Sequence, residues 1–240
     1  MNALVTLTIG NDSMWDYTLS SMRSTCERHG WAFEAITTRK VNMARFEAPT
    51  WNVSFEKFQV CDYLDRYDRV LLIDADVMMS PECPDIFDAV PEDAIGAVFE
   101  DVGSRMKNRQ GQIDMIKAHR FRGALGMDEW NTGYMNSGVM VLSKCHRPAL
   151  AFDMNDPQTR VIAIRKSFPD QNTMNFLCRR SGWPILDMGY KWNHMTVFSE
   201  KWNGAPHRRD SHIIHYAGLL PEQRLAWARE DYLAWWRAGK

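Results

Sequence analysis

Arg69-Val-Leu-Leu-Ile-Asp74-Ala-Asp76-Val-Met-Met79 is an apolar run that enters two aspartates. A strand that is apolar at every position, rather than at every second one, is what a buried strand of a parallel sheet requires. The aspartates then fall where the strand emerges at its carboxyl end, and in open α/β sheets that end faces the ligand cleft. Two carboxylates there make a hard oxygen site for Mg²⁺ or Mn²⁺. An ion so held can bridge the phosphates of a leaving nucleotide diphosphate. A chain this rich in Asp contains on the order of one D-x-D by chance. Its place directly after Leu71-Leu72-Ile73 distinguishes this one.

Toward the N-terminus, Phe55 to Tyr67 reads as a helix with Phe58, Cys61, Tyr63 and Leu64 facing inward. Its row of Asp62, Asp65 and Asp68 is better explained as a solvated face than as a metal site. Residues 3–9 form a β-branched run that closes on Gly10-Asn11-Asp12. Trp15, Leu19, Met22 and Cys26 then recur at helical spacing, with Asp12 or Ser13 as the expected cap and Gly30 as the stop. Trp31 to Ile36 is a second strand. The order strand, helix, strand predicts a βαβ unit and a parallel sheet.

Toward the C-terminus, residues 100–132 turn polar and basic, as in a flap or helical insertion over a site. Met135-Asn136-Ser137-Gly138-Val139-Met140-Val141-Leu142 then restores a buried strand. Gly138 lets backbone approach a ligand, and Asn136 offers a donor and an acceptor to sugar hydroxyls. An Asn/Gly turn before a core strand explains the same residues. Asp170-Gln171 follows Pro169 and opens a helical pattern through Met174, Leu177 and Cys178, so Asp170 alone reads equally as a cap. His215 ends a short β-run before Gly218. An imidazole is a common third ligand where two carboxylates leave a metal under-coordinated, and is also a common structural residue.

Length and composition bound these readings. The chain has 240 residues, 45% hydrophobic and 25% charged, which fits one soluble domain. A formal charge of −1 shows no basic footprint, so nucleic acid is not an expected partner. Ten Trp and fifteen Met suit sugar faces as well as cores. The five Cys have no metal-ligand spacing and point to a reducing compartment. With no signal-like leader and no membrane-spanning run, the chain reads as cytoplasmic.

D-x-D, N-S-G-V, D-Q and H-x-x-G in this order, over about residues 3–218, resemble glycosyltransferase family 8, which includes glycogenin and the bacterial lipopolysaccharide galactosyltransferases. The resemblance implies a GT-A nucleotide-diphospho-sugar transferase fold, an α/β domain with a mostly parallel sheet, over residues 1–220. It implies transfer of a hexose from a UDP-linked donor, with retention, to a saccharide, lipid-linked saccharide or protein hydroxyl. Asp74, Asp76 and His215 would hold Mn²⁺ or Mg²⁺. Leu7, Thr8 and Asn11 would line the nucleoside pocket, with Lys57, Ala75 and Gly218 also on the donor. Asn136, Ser137, Asp170 and Gln171 would hold the donor sugar, Asp170 or Gln171 nearest the reacting carbon. Tyr134 and Tyr190 are candidates for self-glycosylation.

One departure stands out. Where the family continues from H-x-x-G to a Lys-Pro-Trp that grips the diphosphate, this chain reads Gly218-Leu-Leu-Pro-Glu-Gln-Arg224. Arg224, or Arg105, Lys107 or Arg109 from the insertion, are the candidate replacements. Residues 221–240 read as an aromatic and basic helix packed on the domain, with peripheral contact at the inner membrane face as the alternative.

Three rival functions compete with this reading. Asp74-Ala75-Asp76-Val77 also satisfies the D-x-D-x-[TV] signature of haloacid-dehalogenase-type phosphatases, but at least two strands precede it where that fold has none. A nucleotidyltransferase would need a Gly-rich, basic loop after the first strand. A non-catalytic sugar-nucleotide binder is the third, favoured by the missing Lys-Pro-Trp.

Overall fold

A computed structural model of the chain describes residues 1–41, 53–118, 130–165, 167–201 and 207–237. Residues 119–129 of the expected insertion and 238–240 of the expected terminal helix lie outside them. The chain opens with the anticipated unit: β1 (Asn2–Leu7), α1 (Trp15–His29) and β2 (Ala32–Ile36). β1 and β2 run parallel, with Leu4 opposite Phe33. Gly30 ends α1 at φ 70°, a left-handed turn that a side chain would strain, and its N–H bonds back to Cys26 O. Asp12 does not cap α1 as expected. Its carboxylate instead accepts from Met14 N at 3.0 Å and tightens the turn ahead of the helix.

The expected helix over 55–67 is shorter and tighter. Val53–Gln59 is a 3-10 segment, and α2 covers only Val60–Leu64. The quoted run also divides. β3 (Arg69–Asp74) stays in the main sheet, whereas β4 (Val77–Met79) leaves for a second sheet and pairs antiparallel with β9 (Ile213–His215). The division falls at Ala75-Asp76. There Thr18 Oγ1 donates to Ala75 O at 2.7 Å and Tyr216 N donates to Asp76 O at 3.0 Å.

The remaining elements are β5 (Ile95–Phe99), α3 (Gln110–Ala118), β6 (Met135–Ser143), α4 (Pro157–Ala163), α5 (Pro169–Arg180), β7 (Ile185–Asp187), β8 (His194–Met195) and α6 (Pro221–Tyr232). Among the described residues the main sheet has the order β2-β1-β3-β6-β5-β7, and the second sheet β4-β9-β8. Only β6 runs against its neighbours in the main sheet, so β3 is parallel to β1 but antiparallel to β6. The sheet is mostly parallel, as expected, with β3 at the boundary between its parallel and antiparallel pairings. The all-apolar pattern of β3 follows from burial of both faces, not from strand direction. Val70 and Leu72 pack into the cluster with Phe55, Met140 and Phe176, while Leu71 and Ile73 pack with Met22, Phe87 and Val141. Burying each of these four is worth about 1.5–3 kcal/mol.

Two contacts place the elements around the sheet's carboxyl edge. Asn175 of α5 donates to Met135 O at 2.9 Å and accepts from Met135 N at 2.8 Å, as an adjacent strand would. That sets the first turn of α5, with Asp170 and Gln171, beside the start of β6. α6 packs Ala228 against Met14, Met78, Ile214 and Tyr216. Its buried Asp231 accepts from Arg208 Nε at 2.7 Å and Tyr216 Oη at 3.0 Å. No helix among the described residues is long and apolar enough to cross a membrane.

Candidate active site

Asp74 ends β3, Asp76 follows the turn, and His215 ends β9 directly across from Val77. The junction of the two sheets therefore brings the three together. One ligand atom from each lies within 4.8 Å of the others. His215 Nε2 stands 3.3 Å from Asp76 Oδ1 and 3.9 Å from Asp74 Oδ2. Ligand atoms about 2.1 Å from a six-coordinate ion are separated by about 3 Å, so the spacing and the O, O, N donor set fit a small divalent cation.

Gly138 is what admits the imidazole. A Cβ there would lie 2.3 Å from His215 Cε1 and 2.8 Å from its Nδ1. The close approach expected of this glycine is thus made to a histidine ring. Behind the ring, His215 Nδ1 meets Asn193 Oδ1 at 3.0 Å, and Asn193 Nδ2 donates to Asn136 Oδ1 at 2.8 Å.

A cavity of about 410 Å³ opens beside these ligands, lined among others by Lys57, Asp74, Asn136, Ser137, Asp170, Gln171, His215 and Gly218. Lys57 Nζ sits 2.7 Å from Asp74 Oδ1 and 3.6 Å from Asp170 Oδ2, and also donates to Ser137 Oγ at 3.3 Å. Gln171 Oε1 accepts from Ser137 N at 3.1 Å and Asn136 Nδ2 at 3.2 Å. Asp170 lies inside the first turn of α5. The cap position belongs to Phe168, held left-handed at φ 51°, so the capping alternative for Asp170 falls away. Phe168, Met195, Val197 and Phe198 give the cavity an apolar wall.

Other expected donor residues lie off this cavity. Leu7 is opposite Asp74 in the sheet, Thr8 N donates to Ile36 O at 2.9 Å, and Asn11 is exposed in the following loop. Ala75 is buried, with its carbonyl on Thr18. None of the four lines the cavity. Tyr134 is fully buried and donates to Asn172 at 2.7 Å, which removes it as a self-glycosylation acceptor. Tyr190 is not part of the cavity lining either.

Of the candidate cations, Arg224 reaches the Asp74, Asp76 and His215 cluster: its Nη1 donates to Asp76 Oδ2 at 3.1 Å. Arg109 lines the cavity and pairs with Glu100, Arg105 stacks on Phe198 with its guanidinium carbon 3.8 Å from the ring centre, and Lys107 is exposed. Leu220, near the position of the absent lysine, is exposed at the start of α6.

Two residues were not anticipated as functional. Glu100 is buried and accepts from Asn136 Nδ2 at 2.7 Å, Gln171 Nε2 at 3.2 Å and Arg109. A carboxylate directly after the apolar strand β5 is the counterpart of the signal that marks Asp74 at the end of β3. Asn193 closes the phrase Gly189-Tyr-Lys-Trp-Asn193, which resembles the family's segment before the last strands, but its role depends on contacts with β6 and β9.

Charges at the centre are set by burial and by one another. Burial opposes the Asp76 charge, but His215, Arg224 and Lys57 outweigh it and hold the carboxyl down at about 2. Burial likewise disfavours charge on His215 and Lys57. For His215, Asp76 and Asp74 prevail and raise its pKa; for Lys57, Asp74 and Asp170 do. Perturbed groups gathered in one cleft are characteristic of functional sites.

Solved structures share this architecture. The glycosyltransferase involved in glycosylating the major capsid of PBCV-1 matches with a TM-score of 0.61 at 12% identity, over 95% of this chain and 98% of that one. The galactosyltransferase LgtC, in complex with donor and acceptor sugar analogs, matches with 0.57 at 15% identity over 96% of both chains. Mouse xyloside xylosyltransferase 1 matches with 0.53 at 13% identity, over 91% of this chain and 98% of that one. The fold is the GT-A fold of the glycosyltransferases. Among curated proteins, no sequence matches this chain significantly. The family model for glycosyl transferase family 8 matches residues 22–220, and the chain belongs to that family. It is a glycosyltransferase that uses a nucleotide-sugar donor, which sets aside the phosphatase and the non-catalytic binder.

Proposed function

We propose that this enzyme transfers a hexose from a UDP-linked donor to a hydroxyl acceptor, with Mn²⁺ or Mg²⁺ held by Asp74, Asp76 and His215. The observation that carries this is the convergence of those three ligand atoms within 4.8 Å, at the edge of a cavity lined by Lys57, Asn136, Ser137, Asp170 and Gln171. When bound, the cation supplies charge neutralisation for the leaving diphosphate. Imidazole among the ligands favours Mn²⁺ over Mg²⁺.

The protein's own groups do the rest. Lys57 lies between Asp74 and Asp170, so it offsets carboxylate repulsion and ties the metal edge of the cavity to the sugar edge. The Gln171 amide is engaged at both ends, by Ser137 N and Asn136 on its oxygen and Glu100 on its nitrogen. It acts as a fixed wall for the donor sugar. Asp170, whose carboxylate lies 3.6 Å from Lys57 Nζ, is the group we place nearest the reacting carbon. Leu7, opposite Asp74 on β1, with Thr8 and Asn11 beyond it, is read as continuing the site toward the nucleoside, and Gly218 of the cavity lining as contributing backbone. The apolar wall around Phe168 suits the face of a saccharide acceptor. Retention of configuration rests on the family resemblance. The five unpaired thiols support a cytoplasmic setting. Residues 221–240 are read as a helix added to the 1–220 domain.

The test is a thermal-shift panel of nucleotide diphosphate sugars with and without Mn²⁺, on wild type and Asp76→Asn. A donor that binds only the folded state raises Tm. One UDP-sugar should do so in the presence of Mn²⁺, and Asp76→Asn should keep its fold while losing both this shift and turnover. Full activity in Asp76→Asn would exclude the metal site.

A further inference from the structure

Arg224 is a guanidinium with more donors than partners. It carries five N–H groups. One, on Nη1, bonds Asp76 Oδ2 at 3.1 Å. Nη2 lies 3.9 Å from Asp12 Oδ2, close enough for attraction but too far for a hydrogen bond. The Nε atom is buried and has no hydrogen-bond partner. Buried donors are almost always satisfied in folded proteins, and an orphan calls for an explanation.

The side chain is held where it is. α6 is fixed to the domain by Asp231 on Arg208 and Tyr216 and by Tyr232 Oη against Ser20 Oγ at 3.0 Å, and the turn that follows it by Trp236 Nε1 on Met79 O at 3.2 Å. The first turn of this helix delivers Arg224 to the outer side of Asp76. The two oxygens of that carboxylate face different ways: Oδ1 toward His215 Nε2, Oδ2 toward Arg224. Arg224 thus takes the oxygen of Asp76 that faces away from His215, and would leave the other to a cation held by the three residues. Asp12, the second carboxylate near Arg224, belongs to the loop leaving β1, whose Leu7 is opposite Asp74. Arg224 therefore spans from that loop to the metal ligands. A nucleotide bound at the end of β1, as the proposed site has it, would reach the three ligands along this span.

We propose that Arg224 binds the diphosphate of the donor, using the donors that Asp76 leaves free. A planar fork of N–H groups matches phosphate oxygens in pairs. This rests on the reading of the site as one for a nucleotide diphosphate sugar.

The experiment compares wild type, Arg224→Gln and Arg224→Lys in calorimetric titrations with UDP and inorganic pyrophosphate in Mn²⁺, and in titrations with Mn²⁺ alone followed by the resonance of the free ion. Arg224→Gln should weaken UDP and pyrophosphate at least tenfold. Its affinity for Mn²⁺ alone should stay level or rise, because a positive charge beside Asp76 has gone, and Arg224→Lys should recover part of the loss. Equal UDP affinity in wild type and Arg224→Gln overturns the proposal. Equal weakening of UDP and of Mn²⁺ alone also overturns it, and makes Arg224 a residue that only orients Asp76. A wild type that binds neither UDP nor pyrophosphate with Mn²⁺ overturns the reading of the site itself, and the proposal with it.

Discussion

Asn193 Oδ1 lies 3.0 Å from His215 Nδ1, and the direction of that hydrogen bond follows from a backbone amide two residues beyond Asn136. Gly138 N–H can only donate, and it donates to Asn136 Oδ1 at 2.8 Å. The same oxygen accepts from Asn193 Nδ2 at 2.8 Å, so the Asn193 oxygen must turn to the ring. Neutral His215 then carries its proton on Nδ1, and its Nε2 lone pair points at Asp74 and Asp76. Such outer partners fix the tautomer of metal-binding histidines.

Replacing Asn193 by Ala removes the partner that holds this tautomer. Loss of an outer-shell partner typically costs 10–100-fold in metal affinity. The Kd for Mn²⁺, measured by titration of the metal-free protein, should rise by about that factor. An unchanged Kd would show that the relay does not serve the metal.

Gly138→Ala is a single added methyl with a large expected effect. The backbone of β6 is fixed by pairing with β3, where Val139 faces Ile73, so the new Cβ must displace the His215 ring. Overpacking of this kind costs about 1–3 kcal/mol. At about 2–4 °C per kcal/mol for a chain of this size, Tm should drop visibly. Mn²⁺ binding should weaken more than tenfold, which a calorimetric titration would record.

Glu100→Gln keeps the volume and removes the charge that three donors share. Arg109 loses its counter-ion, and the new amide nitrogen must face a donor on either side, Arg109 or the amide nitrogens of Asn136 and Gln171. Breaking a buried charged network should cost about 2–4 kcal/mol in denaturant unfolding. Donor KM should rise as well, since Asn136 and Gln171 lose their common anchor.

His146 and His194 set an acid limit on stability. Burial, reinforced by Arg69 and Arg208 respectively, pushes both down to about 4. His146 Nδ1 accepts from Ser143 N at 3.0 Å, a bond that protonation there would break. Both pKa values lie below the ordinary value near 6.5, so the unfolded chain takes up protons that the folded protein rejects. Their contribution is complete above about pH 6.5 and is lost as pH falls toward about 4. The loss is about 1.4 kcal/mol per pH unit for each. Tm of the metal-free protein should fall steadily from pH 7 to pH 5, and less steeply in His194→Gln.

Periodicity and punctuation are local properties, and they were enough for the βαβ opening and the buried strand ahead of Asp74-Ala75-Asp76, whereas Lys57 and the donor roles of Ser137, Asp170 and Gln171 entered through the family resemblance. What the sequence could not supply was direction and register. An all-apolar strand looks the same whether its neighbour is parallel or antiparallel, so the reversal of β6 was invisible. So was the departure of β4 to a second sheet, which alone places His215 beside Asp76. Arg224 stood among four candidate cations until packing of α6 carried it to Asp76, 148 positions away in the chain. Glu100 and Asn193 gain their roles from side-chain hydrogen bonds across strands, and such bonds exist only once burial has fixed which residues face one another.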